Sequence, residues 1–341
     1  MSVSNIRRIV LAGALFAMIG VPLPASAADV VKLAAITRTV FYVPLWVAMH
    51  KGFLKDEGLD VQVTFFDNAG RTADMLRTGE MQFVLRSPEA AIMDAYRGGS
   101  LRVIAGGVSR LPHFVIAQPR IKTLADLRGA NFGVLAEKEG TTYIVQDIAK
   151  AAGLGPDDYK ISVVGGSPTR WRLLKEGKID VGLQPIPNSY EAEAAGFTNL
   201  GSAIKFVPDW QFTCVNVDQN WAEQNRAVVV RFLRGLQRGR DYMRTSPTES
   251  AAIAAEELRT QVPLAVRMLG DVEKYGMLDP DTALNVPGLR RIFETLQKSG
   301  DIGADQSFDL NTFVDFSYWL DSHPDADPAV VGSIPRARPR Q

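Results

Sequence analysis

The stretch LRTGEMQFVLR, at residues 76–86, carries the pattern from which the fold can be predicted. A leucine and a glycine typical of a helix end are followed by an apolar run, which predicts a helix, a tight turn and a buried strand. The stretch LKEGKIDVGLQ, at residues 174–184, repeats this pattern 98 positions later without a gap. The leucine, the glycine and the inward-facing strand positions match in type. The repeat therefore predicts two similar units within one chain.

Strands and helices alternate in both directions from these stretches. Ser87-Pro88-Glu89 predicts a helix start, with serine as the N-cap and proline in the first turn. Short strands alternating with helices favour a mostly parallel sheet, so we predict an α/β fold. Beyond about residue 220 only helical patterns remain, and residues 335–341 predict a disordered tail. The other predicted strands include residues 30–35, 59–66, 101–105, 131–134, 160–164 and 212–217, and the predicted helices include residues 45–56, 141–152, 221–244 and 311–321.

The composition excludes several classes of function. The 341 residues include 38 basic and 38 acidic side chains, which argues against a nucleic-acid-binding protein because such proteins carry a basic excess. Cys214 is the only cysteine, so it should be an inert buried thiol rather than part of a disulfide, redox pair or thiolate zinc site. The three histidines are not at metal-ligand spacing, and common hydrolase, zinc-protease and phosphate-loop motifs are absent. We predict a protein that is not an enzyme and uses no metal or cofactor.

The first 27 residues have the pattern of a cleavable signal peptide. Arg7 and Arg8 precede an apolar run over residues 9–21, and Ala25-Ser26-Ala27 offers a small-residue cleavage site. The run is too short to cross a membrane as a helix, which needs about 20 residues. No cysteine lies near the cleavage site, so no lipid anchor is expected. We predict a mature protein that is exported and free in solution.

Residues at predicted strand ends and helix starts are the candidate ligand-binding residues. In open α/β sheets these ends border a crevice, where helix N-termini favour an anion. Arg86 ends one such strand, and its guanidinium could hold a carboxylate or sulfonate in a two-pronged contact; Gln184 is its counterpart in the repeat. Structural alternatives stay open: the arginine could pair with an acidic neighbour, the threonines could cap helices, and the aromatic residues could simply pack. The other candidates are Ser87, Thr39, Phe41, Tyr42, Ser109, Thr141, Thr142, Ser167 and Trp210.

Several short motifs in this order make the chain similar to a known family. It resembles the periplasmic substrate-binding proteins of ABC importers, in the branch that serves nitrate, alkanesulfonates, taurine and thiamine-precursor pyrimidines. The resemblance covers residues 30–236. The motifs that carry it are PLWVA at residues 44–48, GFL at 52–54, GLDV at 58–61, GEMQF at 79–83, IKTLADLRG at 121–129, FGV at 132–134 and GKIDV at 177–181.

The resemblance implies a two-lobed periplasmic-binding-protein fold of type II. Each lobe would be a mostly parallel sheet flanked by helices, with the ligand cleft between the lobes. On this chain, lobe 1 would comprise residues 28–113 and 218–334, and lobe 2 residues 119–211. The two crossing segments, which would act as hinges, would lie at residues 114–118 and 212–217.

The resemblance also implies a function in uptake. The protein would close around a small molecule in the periplasm and deliver it, as a monomer, to a membrane permease and its ATPase. Arg86 with Phe41 or Tyr42 would suit a small organic anion, in particular an aromatic carboxylate or sulfonate.

Two other functions stay open at this point. An exported enzyme on the same scaffold would need an acid/base pair in the crevice, such as Glu139 with His113. The cysteine-rich motif of the thiamine-pyrimidine enzymes is absent. A periplasmic ligand sensor would need only the same ligand-linked closure as a transport protein.

Overall fold

The structure is a computed structural model that describes residues 28–36, 38–66, 70–278 and 281–326. The predicted signal peptide, residues 1–27, and the predicted tail, residues 335–341, lie outside the described residues. In the described part, ten strands form two sheets. They are β1 (Asp29–Ile36), β2 (Leu59–Phe66), β3 (Phe83–Arg86), β4 (Leu101–Gly106), β5 (His113–Ala117), β6 (Asn131–Val134), β7 (Lys160–Val163), β8 (Val181–Pro185), β9 (Thr198–Ser202) and β10 (Cys214–Asp218).

The two sheets have the same arrangement. The first has the order β2-β1-β3-β10-β4 and the second the order β7-β6-β8-β5-β9. In each sheet four strands run in one direction, and the fourth in order, β10 or β5, is antiparallel to both its neighbours. The predicted repeat falls on equivalent strands, because β3 and β8 occupy the third position of their sheets. The internal repeat thus corresponds to two lobes that share the same strand arrangement.

Helices pack on both sheets, and their contacts place both ends of the described chain in the same lobe. The helices are α1 (Val43–His50), α2 (Phe53–Asp56), α3 (Gly70–Arg77), α4 (Glu89–Ala95), α5 (Gly140–Ala151), α6 (Ser167–Lys175), α7 (Asn188–Ala194), α8 (Gln219–Gln224), α9 (Arg226–Thr245), α10 (Pro247–Leu258), α11 (Val262–Lys274), α12 (Val286–Lys298), α13 (Leu310–Phe313) and α14 (Ser317–Ser322). The last seven helices pack with one another, with α1, α2 and α4 and with the first sheet, so both ends of the described chain build lobe 1, while α5, α6 and α7 belong to lobe 2. No helix of the described ranges is both long and apolar enough to cross a membrane.

The crossings between the lobes lie earlier in the chain than predicted. Residues 114–117 belong to β5 and residues 214–217 to β10, so each predicted crossing falls mainly within a sheet. The chain instead passes between the sheets at residues 107–112 and 203–213. Strands β5 and β10 are apolar segments that directly follow a crossing. An apolar sequence pattern does not indicate to which sheet a strand belongs.

The two crossing segments are hydrogen-bonded to each other. The Val108 carbonyl accepts from the backbone amides of Phe212 (2.9 Å) and Thr213 (3.2 Å), and from the side-chain amide of Gln211 (3.1 Å). In return the Thr213 hydroxyl accepts from the Val108 amide at 3.0 Å. The lobes are therefore joined by a paired connection rather than by two independent linkers.

Some predicted helices also differ from the observed ones. The helix predicted over residues 45–56 is interrupted at Gly52, whose left-handed backbone (φ +75°) separates α1 from α2. The helix predicted over residues 221–244 is divided at Asn225. Helix α4 begins at Glu89, and Pro88 rather than Ser87 is its N-cap. A single residue stands at each of these boundaries.

Gly239 lies where α9 crosses α1, and replacing it should destabilise lobe 1. A Cβ at this position would overlap the Pro44 carbonyl oxygen and lie 2.8 Å from the Ala48 Cβ. Because the backbone of α1 cannot easily move aside, we expect Gly239→Ala to lower the free energy of unfolding by about 3 kcal/mol. Urea unfolding measures the loss.

Gly270 in α11 supplies the control, because a Cβ there would meet no atom within 4 Å. Gly270→Ala should be neutral or should stabilise by up to about 1 kcal/mol, since alanine favours helix more than glycine does. Equal effects of the two substitutions would contradict the close packing of α9 on α1.

Candidate functional site

A cavity of about 50 Å³ lies between the lobes, next to the crossing segments. Strand ends and loops of lobe 1 form one wall, and the starts of α5 and α6 form the other. This is the crevice in which open α/β sheets bind ligands. The lining residues are Ile36, Thr39, Phe41, Tyr42, Arg86 and Ser87 from lobe 1, Phe212 and Thr213 from the second crossing, and His113, Leu135, Glu139, Thr141, Gly166, Ser167 and Arg170 from lobe 2.

Arg86 brings a buried positive charge from the end of β3 to this cavity. Its side chain is 93% buried, and its Nη1 donates to the Thr72 hydroxyl at 3.0 Å. Burial lowers the pKa of Arg86, while the charges of Glu89 and Glu139 act to raise it. Arg86 thus faces both the cavity and two acidic side chains.

Aromatic side chains form the wall beside Arg86. Phe41, His113 and Phe212 pack edge-on, with ring centroids 5.8 Å apart for Phe41 and His113, 5.2 Å for Phe41 and Phe212, and 4.7 Å for His113 and Phe212. Burial, followed by the charge of Arg170, holds the pKa of His113 well below its usual range, so this imidazole is neutral near pH 7. Tyr42 is fixed by its hydroxyl, which accepts from the Ile36 amide at 3.1 Å. This part of the cavity wall is therefore mainly aromatic.

The acidic cavity residue Glu139 lies at the start of α5. Glu139 is the N-cap, and its Oε2 accepts from the backbone amide (2.9 Å) and the hydroxyl (2.7 Å) of Thr141. The Thr141 hydroxyl also accepts from the Leu135 amide at 3.1 Å. This carboxylate is therefore held by a helix terminus, where its negative charge is favourable.

The start of α6 presents a second buried guanidinium. Arg170 Nη2 donates to the Ser167 hydroxyl at 2.9 Å, and Nε and Nη2 donate to the Leu183 carbonyl at 3.3 and 3.1 Å. Nη1 donates to the Gly165 carbonyl at 3.1 Å. Burial lowers the pKa of Arg170 to about 10, so it remains charged at neutral pH. Its hydrogen-bond acceptors named here are neutral, and the negative charge that acts on it is that of Glu139.

Glu89 lies at a contact between the lobes. It begins α4 of lobe 1, is fully buried, and its Oε1 is 3.0 Å from where a Cβ of Gly140 in lobe 2 would stand. Neither carboxylate oxygen makes a hydrogen bond of normal geometry within the described part of the chain. Burial and the charge of Glu139 raise the pKa of Glu89 to about 7, although Ser87, its own amide and Arg86 act in the opposite direction. A glycine at position 140 is what allows this approach.

The lobes also touch outside the cavity. Lys138 and Tyr143 of lobe 2 both contact the Asp301 carboxylate, which follows α12 of lobe 1. Arg291 of α12 pairs with Asp147 of α5 at 2.9 Å. These polar contacts add to the contact between the lobes.

Seven of the eleven predicted site residues lie on the cavity and four do not. The seven are Thr39, Phe41, Tyr42, Arg86, Ser87, Thr141 and Ser167. The Thr142 hydroxyl instead donates to the Ala136 carbonyl at 2.6 Å. With its amide oriented to satisfy both ends, Gln184 donates to the Ser167 carbonyl (3.3 Å) and accepts from the Trp171 amide (3.2 Å), so it supports α6.

Ser109 and Trp210 are buried in the crossing segments. The Ser109 carbonyl accepts from the side-chain amide of Asn285 at 2.8 Å, which ties the first crossing to lobe 1. Trp210 is fully buried against Gly140 and Gly288 rather than on the cavity. Cys214 is buried, as predicted.

Sequence reasoning missed Arg170 and Phe212 as cavity residues and weighed His113 and Glu139 only as an acid/base pair. One signal could have identified Arg170: it lies one turn after the predicted start of α6, on the same helix face as Ser167. The described residues contain no cluster of three or more histidine, cysteine or acidic side chains that could hold a metal ion.

Comparison with known proteins gives the family. The NMT1/THI5-like family profile matches residues 41–250, which is more than half of the chain. A Brucella abortus protein whose name describes it as a binding protein is 24% identical over 215 residues, covering 62% of this chain and 66% of its own length. A Candida albicans protein named 4-amino-5-hydroxymethyl-2-methylpyrimidine phosphate synthase is 22% identical over 229 residues, with the same two coverages of 62% and 66%.

A solved structure supports the predicted fold. The periplasmic nitrate-binding protein of Synechocystis superposes with a TM-score of 0.74 at 13% identity, over 90% of this chain and 91% of its own. At this identity the likeness concerns the fold, and it confirms the predicted two-lobed periplasmic-binding-protein architecture. By the extent of the sequence match and by its fold, the chain belongs to the NMT1/THI5-like family.

Proposed function

We propose that this protein is the exported solute-binding component of an ABC uptake system, and that it captures a small organic anion between its lobes. The observation that carries the proposal is the pair of buried guanidinium groups, Arg86 from lobe 1 and Arg170 from lobe 2, on one cavity. Guanidinium groups bind carboxylates and sulfonates through directed, charge-assisted hydrogen bonds.

The charge balance of the cavity supports an anion. Among the described lining residues the two arginines face one carboxylate, Glu139, which is already held at the α5 N-cap. Glu89 also acts on Arg86 but does not line the cavity, and its pKa is raised to about 7, which reduces its negative charge at neutral pH. Gly166 and Ser167 place the start of α6 on the cavity, and the amides of a helix N-terminus attract negative charge. The aromatic wall of Phe41 and Phe212 would contact the apolar part of such a ligand.

Capture would depend on a change in the angle between the lobes. Because both lobes line the cavity, we expect a ligand to enter when they separate, with the paired crossing segments as the hinge. A ligand that contacts both walls favours the closed arrangement. In the proposed role the closed protein, carried as a monomer in the periplasm after removal of residues 1–27, presents its ligand to a membrane permease with its ATPase.

An enzyme on the same scaffold is the second candidate, because His113 and Glu139 do lie on one cavity. One relative is named a synthase. The arrangement favours binding, since the Glu139 carboxylate accepts two hydrogen bonds from Thr141 and His113 is a neutral group among aromatic rings. If the purified protein converted its ligand into a product, the protein would be an enzyme rather than a binding protein.

A thermal-shift screen of residues 28–341 tests the proposal. The protein is first unfolded and refolded to remove any molecule carried over from the expression host. The panel contains aliphatic and aromatic carboxylates, sulfonates, nitrate, neutral pyrimidines and amines. A ligand at 100 times its Kd should add about 2.7 kcal/mol of stability, which raises the melting temperature by a few degrees. We expect shifts with organic anions only. Shifts confined to pyrimidines or amines would overturn the anion site.

A further inference from the structure

We infer that one segment of lobe 1 holds the lobes in the closed arrangement and so controls how tightly the protein captures its ligand. The segment is α12 with its N-cap and the turn that follows it, residues 285–301, here named the α12 segment. Its Asp301 contacts lobe 2 but does not line the cavity, so it is a positioning residue. This inference rests on the proposed function, because it names residues that control capture of the same ligand.

The α12 segment begins on the crossings between the lobes. The backbone amide of Asn285 donates to the side-chain oxygen of Gln211 at 2.6 Å, and its side-chain amide donates to the Ser109 carbonyl at 2.8 Å. One turn further on, a Cβ at Gly288 would stand 2.5 Å from the Gln211 amide nitrogen and 2.7 Å from the Trp210 carbonyl carbon. The start of the segment is therefore packed closely on the proposed hinge.

The rest of the α12 segment reaches lobe 2 at two places. Arg291 pairs with Asp147 of α5 at 2.9 Å. At the end of the segment, the Asp301 carboxylate accepts from the Tyr143 hydroxyl at 3.2 Å and pairs with the Lys138 ammonium group. One segment of lobe 1 thus connects the hinge with the surface where the lobes meet away from it.

Asp301 is the contact that depends most on closure, because its side chain is only 1% exposed. Burial acts to raise its pKa, but hydrogen bonds from Lys138, Ser299 and Tyr143 outweigh burial and lower the pKa, so the carboxylate is ionised at neutral pH. The carbonyl of Asp301 accepts from Arg97 at 3.1 Å, which ties this turn to lobe 1. If the lobes separated, Lys138 and Tyr143 would leave with lobe 2 and only Ser299 would remain. The contact therefore stabilises the closed arrangement relative to the open one.

A contact that acts through closure changes the affinity for every ligand by the same factor. The apparent Kd is the Kd of the binding-competent arrangement divided by the fraction of protein in that arrangement. Removing the Asp301 contact lowers this fraction whichever molecule is bound. A residue that touched the ligand would instead change the affinities by factors that differ between ligands.

Isothermal titration of residues 28–341 with ethanesulfonate and benzoate, two anions of different size, tests the inference. Asp301→Asn should weaken binding of both anions by about tenfold, within the usual range for coupling between sites. Tyr143→Phe removes one hydroxyl from the lobe 2 side of the same contact and should weaken both by about threefold. The double variant should lose less than the product of the two factors, because both changes break one contact.

Asp315→Asn is the matched control. The Asp315 carboxylate accepts from the Ser317 amide at 3.0 Å and from the Ser317 hydroxyl at 2.6 Å, and both residues belong to lobe 1. Its replacement should lower the melting temperature without changing either affinity. If Asp301→Asn does not fold, Tyr143→Phe decides.

Single-molecule energy transfer measures closure without a ligand. Dyes are attached to Lys55→Cys in lobe 1 and Lys122→Cys in lobe 2, which replace exposed lysines, while the native Cys214 is buried and is not labelled. Asp301→Asn should shift the ratio of closed to open protein about tenfold towards the open arrangement.

The outcomes separate this inference from the proposed function. Unchanged affinities and an unchanged ratio of closed to open protein in folded Asp301→Asn would overturn the inference and leave the anion-binding function standing. Factors that differ between ethanesulfonate and benzoate would also overturn it, because Asp301 would then act on the ligand itself. If no organic anion of the wider panel bound to the wild type, the proposed function would fall, and a shifted ratio of closed to open protein would still support the role of Asp301 in closure.

Discussion

Replacing Arg86 by alanine should weaken binding of an organic anion by about 10- to 100-fold. The loss corresponds to one charge-assisted hydrogen-bonded contact of about 1.5–3 kcal/mol. It should be that large because Arg86 is buried, so its interaction with the ligand is poorly screened by water. Isothermal titration of the tightest anion from the thermal-shift screen measures the change.

Arg71→Ala is the matched control for this experiment. Arg71 is close in the chain to Thr72, the partner of Arg86, but its side chain is 73% exposed and its distance to Glu80 is 3.9 Å. Its loss should leave the affinity unchanged. Arg86→Lys keeps the charge without the two-pronged geometry and should lie between wild type and Arg86→Ala. An unchanged affinity in folded Arg86→Ala would remove Arg86 from the site.

Lowering the pH from about 7.5 to about 5.5 should tighten anion binding by about 20-fold. The cause is Glu89, which is buried at the contact with Gly140 when the lobes meet and is exposed to water if they separate. Titration calorimetry at several pH values measures the effect. The probe should be a sulfonate, whose own charge does not change over this range.

The sign follows from the two states of Glu89. Its pKa is raised to about 7 when the lobes meet, from an ordinary value of 4.5 in water. A carboxyl with a raised pKa opposes closure when ionised, so the penalty is complete above about pH 7 and disappears as the pH falls towards 4.5. The charged and titratable groups that act on Glu89 are Arg86, Glu139, Tyr143 and Cys214. Burial and the charge of Arg170 hold the pKa of His113 well below its usual range, which opposes its protonation over this interval.

Glu89→Gln separates this effect from other titrations. The amide imitates the protonated carboxyl, so the variant should bind at about pH 7.5 as tightly as the wild type binds in acid, with a flat pH profile. A steep profile that persists in Glu89→Gln would show that another group takes up the proton.

The sequence pattern predicts those structural elements that depend mainly on residues close by in the chain. The helix, turn and strand of residues 76–86 and their repeat at 174–184 are of this kind, and Arg86 follows from its place at a strand end. Gln184 shows the limit. It occupies the equivalent strand end in lobe 2, but its side chain turns towards α6 rather than to the cavity. Equivalence in sequence does not fix the rotation of a side chain.

Features that depend on distant parts of the chain could not be predicted in the same way. Arg170 reaches the cavity because α6 of lobe 2 faces lobe 1, and Glu89 is buried because Gly140, some fifty residues away, has no side chain. The crossing segments were misplaced for the same reason, since strand pairing rather than local composition decides to which sheet β5 and β10 belong. Such relations appear only when the two lobes are assembled.

The place of β10 in the first sheet also sets the order in which the chain can fold. β10 lies between β3 and β4, so β4 has no strand neighbour in that sheet until residues 214–218 have been synthesised. The second sheet uses strands from a single continuous segment, residues 113–202, and can be completed first. Pairing between residues so far apart is slow to form. A newly made chain therefore keeps its first lobe incomplete for longest.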